Sequence, residues 1–177
     1  IFNTHLAACA AAITWLVAER AKIGKATSIG IVTGAVAGLA TVTPAAGYVG
    51  PLGALIMGAL GGIVCFYAVL LIKQKFKVDD SLDVFAVHGV GGILGSLIFP
   101  LFILTQLGGP GYEDGITLTG QFMSQAIGVG VVALLSGVAT WLIAFILSYA
   151  IPMRVDEEAE HDGLDLHSHG ERGWELD

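Results

Sequence analysis

Apolar residues along this chain gather into five runs, at about 1–18, 28–43, 52–72, 82–104 and 122–151, parted by short polar breaks. The runs leave nowhere to put the polar outer face that a water-soluble core needs. Each is near the ~20 residues that cross hydrocarbon, the second being somewhat short. In hydrocarbon a spanning segment must satisfy its own backbone N–H and C=O groups, which makes these runs helices. The pattern therefore predicts an all-α, polytopic transmembrane bundle over residues 1–151, followed by a polar tail over 152–177.

Composition supports this and charge adds an orientation. The chain is 55% hydrophobic and 13% charged, with a mean hydropathy of +0.79. Its formal net charge of −7 resides in the tail, where nine acids face only Arg154 and Arg172. Arg20, Lys22 and Lys25 lie between runs one and two, and Lys73, Lys75 and Lys77 between runs three and four. With five crossings these breaks and the tail fall on one side and hold all 8 basic residues, whereas the breaks at 43–51 and 105–120 hold none. The positive-inside rule makes that basic side, and the C-terminus, cytoplasmic. The implied partner is the lipid bilayer, not nucleic acid.

Glycines recur every four residues inside the runs: Gly30, Gly34 and Gly38, then Gly58 and Gly62, then Gly91 and Gly95. Small residues at this spacing let helix backbones approach closely where no hydrophobic effect drives association. The segment 43–51, with prolines and glycines at its corners, reads as an interhelical turn. Cys9 and Cys65 both fall inside apolar runs and are expected to be buried and unbridged. The chain opens at Ile1 within an apolar run, without a charged leader, and is expected to lack an N-terminal part.

The fourth run carries the candidate chemistry. His88 lies in a stretch otherwise small or apolar, and an intramembrane imidazole is costly unless it faces a cavity, a partner or a substrate path. It can exchange protons near neutral pH or take a hydrogen bond from a small polar solute. Asp80 is placed to act as N-cap with Asp83 at the third helical position. On that register Asp80, Val84 and His88 share one face, Asp83 lies about 140° from His88, and His88 sits about 10 Å inside the helix. A histidine bonded to a neighbouring helix is the structural alternative to a pathway residue.

Residues 78–92 (VDDSLDVFAVHGVGG) closely resemble the tenth transmembrane segment of the ammonium transporters, the Amt/Mep/Rh family. Residues 3–8 (NTHLAA) are similar to the start of that family's seventh segment, and 35–49 (AVAGLATVTPAAGYV) to its eighth segment and following loop. Residues 163–171 (GLDLHSHGE) resemble its cytoplasmic C-terminal motif. The resemblance implies five of eleven helices plus the tail, a homotrimer with one pore per subunit, and transport of ammonium or ammonia along a narrow hydrophobic path. It implies that His88 matches the second of twin pore histidines, Val84 a residue beside the lower pore, and Asp83 an acid at the cytoplasmic helix start, with Asp80 supporting the pore. Within the tail it assigns regulation to Gly163, Leu164, Asp165, His169, Gly170 and Glu171, with contact to a neighbouring subunit and to a PII-type signalling protein. Many plant relatives carry a regulatory threonine where this chain has His167. The first pore histidine, the recruitment residues and the phenylalanine gate belong to segments outside this sequence.

Other readings are a different small-solute channel or transporter, an ammonium-sensing relative, and an enzyme holding a metal through His161, His167 and His169. Those histidines lie in an acidic stretch without fixed ligand spacing. The expectation is a transporter, not an enzyme, with no cofactor and no metal.

Overall fold

Residues 1–171 are described in a computed structural model; Arg172, counted above among the tail's bases, lies outside the described residues. Residues 1–130 and 131–177 form two compact units. In the first, α1 (Phe2–Ile23), α2 (Ser28–Val42), α3 (Pro51–Leu70) and α4 (Val90–Phe102) pack together. A wide π-helical turn, Leu71–Lys75, extends α3, and a second, Val84–Gly89, leads into α4. The long helix α5 (Leu118–Leu147) begins in the first unit and continues into the second, and none of its residues is buried. No strand occurs among the described residues.

All five apolar runs are helical, with shifted ends. Among the described residues three helical stretches are long and apolar enough to cross a membrane: Pro51–Lys75, Val84–Phe102 and Leu118–Ser148. The other two fall short of the sequence expectation for different reasons. α2 has only 15 residues, roughly 22 Å of helix against a hydrocarbon core of about 30 Å. α1 has 22 residues but begins with Asn3, Thr4 and His5 and ends with Glu19, Arg20 and Lys22.

Small residues explain the packing. α1 lies against both α2 and α3, with Ala7 and Ala11 fully buried along its contact face. A β-carbon added to Gly58 would enter the backbone of Ala7, with Ala7 Cα at 2.5 Å, and one on Gly38 would meet Ala11 Cβ at 2.6 Å. Gly62 faces Ala11 and Thr14, and Gly95 faces the Thr41 backbone. The four-residue glycine spacing is thus the imprint of backbone approach. Two buried clusters fill the unit. One joins Val42, Ala45, Val49, Met57, Phe99, Phe102 and Ile103; the other joins Trp15, Ala18, Ala37, Cys65, Phe66 and Val87. Trp15 and Phe66 meet edge to face with ring centroids 5.5 Å apart, a favoured aromatic geometry. Cys9 departs from expectation: it is exposed, while Cys65 is buried and both thiols are free.

Polar contacts fix the helix ends. Glu19, 8% exposed, accepts hydrogen bonds from the Thr27 amide at 3.0 Å and the Thr27 hydroxyl at 2.9 Å. Thr27 Oγ1 in turn accepts from the Gly30 amide and caps α2, so α1 and α2 are tied through one carboxylate. At the opposite ends of these helices, Asn3 Nδ2 donates to the carbonyls of Val49 (2.6 Å) and Ala46 (3.3 Å), holding the 43–50 turn. Tyr112 donates its hydroxyl to the Pro100 carbonyl, and burial raises its phenol above its ordinary range.

Within the second unit, Asp156 caps α6 (Glu157–Asp162) by accepting from the Ala159 amide at 2.8 Å. Arg154 pairs with Glu160 at 2.9 Å. Gly163 (φ +96) separates α6 from α7 (Leu164–His169), and Gly170 (φ +67) ends α7. The Gly170 and Glu171 amides donate to Leu166 and Asp165, a left-handed helix ending that glycine adopts at little cost. Among its described residues, the polar tail forms two short helices.

Candidate functional site

The segment from Lys73 to Gly95 brings together the four candidate pore residues, Asp80, Asp83, Val84 and His88. Asp83 is the residue before the helix, in the left-handed region at φ +56, and makes no side-chain cap. Asp80 is the acceptor: its carboxylate takes hydrogen bonds from the amides of Val84 (2.8 Å), Phe85 (3.0 Å) and Ala86 (3.0 Å). Both capping assignments are therefore corrected. Asp80 caps, but from a turn outside the helix, because the chain reverses at 81–83 and carries its carboxylate under the first amides. Asp83 instead pairs with Lys73 Nζ at 2.7 Å, and that ammonium also approaches the Ser81 carbonyl at 3.4 Å. Lys73 was not distinguished from its neighbours in the sequence, since its partner arrives only through the fold.

The register is corrected as well. An α-helix starting at Asp80 would align Asp80, Val84 and His88, but the helix starts at Val84 with a π turn. A π turn holds more than 3.6 residues, so angles counted on an α-helix do not apply across it. His88 lies within the π turn Val84–Gly89 that opens the observed helix, close to its start.

Two faces of this turn differ sharply. Ala86 and Val87 are 0% and 2% exposed, packed into the bundle. Val84 (54%), Phe85 (58%) and His88 are on the exposed side. Val84 and His88 thus share the uncovered side, although not through the α-helical spacing first used to join them. Behind the turn, the Cys65 thiol donates to the Val87 carbonyl at 3.7 Å. The arrangement can offer one imidazole and an apolar surround to a small solute at the uncovered face, with a carboxylate–ammonium cluster at the helix mouth. Among the described residues no group of three or more His, Cys, Asp or Glu side chains converges on a metal position. In the tail, His161 lies 3.6 Å from Asp162, while His167 and His169 lie on α7.

Comparison with known proteins follows the same residues. The profile of the Ammonium Transporter Family matches residues 1–174. The ammonium transporter of Bacillus subtilis is 38% identical over 175 residues, covering 98% of this chain and 43% of that protein. The ammonium transporter of Aquifex aeolicus is 39% identical over 177 residues, covering 99% and 41% respectively. Among solved structures, a sensor Amt protein superposes with a TM-score of 0.84 at 29% identity, covering 94% of this chain and 40% of that one. A Candida albicans Mep2 variant (R452D,S453D) does so with a TM-score of 0.75 at 35% identity, covering 96% and 38%. The chain thus spans about two fifths of the length of the relatives it matches.

Proposed function

Since the chain belongs to the ammonium transporter family and is part of a multi-pass membrane protein, we propose that His88 and Val84 line one wall of a path for ammonium and ammonia. The observation that carries this is the uncovered imidazole in the first turn of Val84–Phe102, a stretch apolar enough to span a membrane. A bare cation is expensive in an apolar path, whereas neutral ammonia with one imidazole contact is not. On this reading the remaining wall, the first pore histidine and the outer recruitment site lie in other segments of the full-length protein, since the chain covers only about two fifths of the relatives it matches. Asp80 and Asp83 support the path by fixing the turn on which His88 sits.

The same reading puts the 19–27 and 73–81 breaks and the C-terminus in the cytoplasm, since Arg20, Lys22, Lys25, Lys73, Lys75 and Lys77 cluster there. It makes the assembly a homotrimer. It gives the segment 163–171, with Gly163, Leu164, Asp165, His169, Gly170 and Glu171, a regulatory contact with a neighbouring subunit and with a PII-type protein. The named curated relatives are transporters, which favours transport over catalysis. The superposition on a sensor Amt protein keeps ammonium sensing as a second reading.

Reconstitution in proteoliposomes, using protein expressed from its complete reading frame, tests the proposal. Saturable, ammonium-dependent charge movement or internal alkalinisation is the expected result, and Val84→Trp, which crowds the face beside His88, is expected to reduce it at least tenfold. Wild-type vesicles indistinguishable from empty ones would count against transport and in favour of sensing.

A further inference from the structure

We propose that Cys65 is a positioning residue for His88, acting through the Val87–His88 peptide unit. This rests on the pathway reading of His88. The Val87 carbonyl and the His88 amide belong to one planar peptide unit, so whatever fixes that carbonyl also fixes the direction in which His88 leaves the backbone. The Val87 carbonyl lies at the junction of the π turn with α4. At the junction with α4 the Val90 amide divides between the carbonyls of Phe85 and Val87, and a shared donor serves each acceptor less well. The Cys65 thiol supplies a further donor to the Val87 carbonyl from α3, at 3.7 Å. S–H is a weak donor, yet this pair is fully dry: Cys65 is 0% and Val87 2% exposed. No water competes for the bond.

The surroundings leave the thiol little freedom. Cys65 and Val87 belong to the buried cluster with Trp15, Ala37 and Phe66. A β-carbon on Gly91, one turn beyond His88, would stand 3.3 Å from Cys65 Sγ and 3.2 Å from Thr41 Oγ1. The thiol is therefore wedged against the backbone that follows the π turn as well as bonded to it. One side chain on α3 sets both the plane of the Val87–His88 peptide and the approach of α4. π turns of this kind recur at functional sites, and this one presents His88 on its open side while Cys65 holds its closed side.

The test compares wild type, Cys65→Ala, Cys65→Ser and His88→Ala, each expressed from the complete reading frame and reconstituted. The infrared difference spectrum of wild type minus Cys65→Ser isolates this thiol. Its S–H stretch should lie below that of an unbonded thiol. Cys65→Ala should lower the ammonium-over-potassium flux ratio about three- to tenfold, the scale of one weak buried hydrogen bond. Cys65→Ser, which restores a donor, should recover most of that ratio, whereas a role in packing alone would track thermal stability and leave selectivity unmoved. A free-thiol stretch would overturn the proposal. So would a Cys65→Ala ratio equal to wild type while His88→Ala loses selectivity, and the pathway reading would then stand. A His88→Ala ratio equal to wild type would instead remove the pathway reading, and the positioning role with it.

Discussion

At the scale of single residues, Asp83 combines an ion pair with an unusual backbone. Its φ of +56 lies where asparagine and aspartate are tolerated and branched residues are strained. Its partner Lys73 has a side chain 36% exposed, so solvent weakens the pair. Asp83→Asn keeps the backbone and should cost no more than about 1 kcal/mol, whereas Asp83→Val should cost about 1–3 kcal/mol from strain. Thermal unfolding in detergent separates them; equal losses would mean that the ion pair, not the backbone, dominates. Asp80→Ala removes the acceptor for three amides and should cost about 2 kcal/mol. The sequence revealed Asp80 and Asp83 as helix-start acids and Asp80 as the capping one, but placed both inside the helix, because a capping pattern assumes that the helix begins where the acids begin. The reversal at 81–83 depends on the left-handed Asp83, and no local residue pattern announced it.

At the scale of elements, the glycine spacing was the most legible feature and the π turns the least. Gly58 and Gly95 are required because another backbone occupies the space of their missing side chains. Gly58→Ala should therefore cost about 1–3 kcal/mol through overpacking. Gly92→Ala, with nothing within 4 Å of the added carbon, should be neutral or stabilising by up to about 1 kcal/mol. A thermal midpoint in detergent that fell equally for both would contradict the seam described for α1, α2 and α3. The π turns at Leu71–Lys75 and Val84–Gly89 escape sequence reading because an extra residue per turn leaves no compositional mark. Helix lengths were legible to within a few residues except at the polar ends of α1, where Asn3 and Glu19 serve tertiary contacts that hydropathy counts only as losses.

At the scale of the whole molecule, residue placement carries the orientation and the relatives carry the extent. Cysteines introduced at Ser28, Lys75 and Glu113 should be labelled by impermeant reagents from the cytoplasmic side for the first two and from outside for the third. External labelling of Lys75 would contradict the five-crossing arrangement. Because the matched relatives are more than twice as long, residues 1–177 reconstituted alone should show no saturable ammonium uptake. In the tail, Gly163 adopts φ +96, so Gly163→Asp should distort the junction of α6 and α7 and lower transport without preventing assembly.

The central claim is that the imidazole of His88 faces a path taken by ammonium. Its most direct test is the ammonium-over-potassium selectivity of His88→Ala beside wild type, in vesicles made from the complete reading frame and matched for protein content. The account predicts that His88→Ala loses most of its ammonium flux or its discrimination against potassium, by at least about tenfold, while its thermal stability stays near wild type. Normal flux with unchanged selectivity would contradict it and make His88 a structural residue.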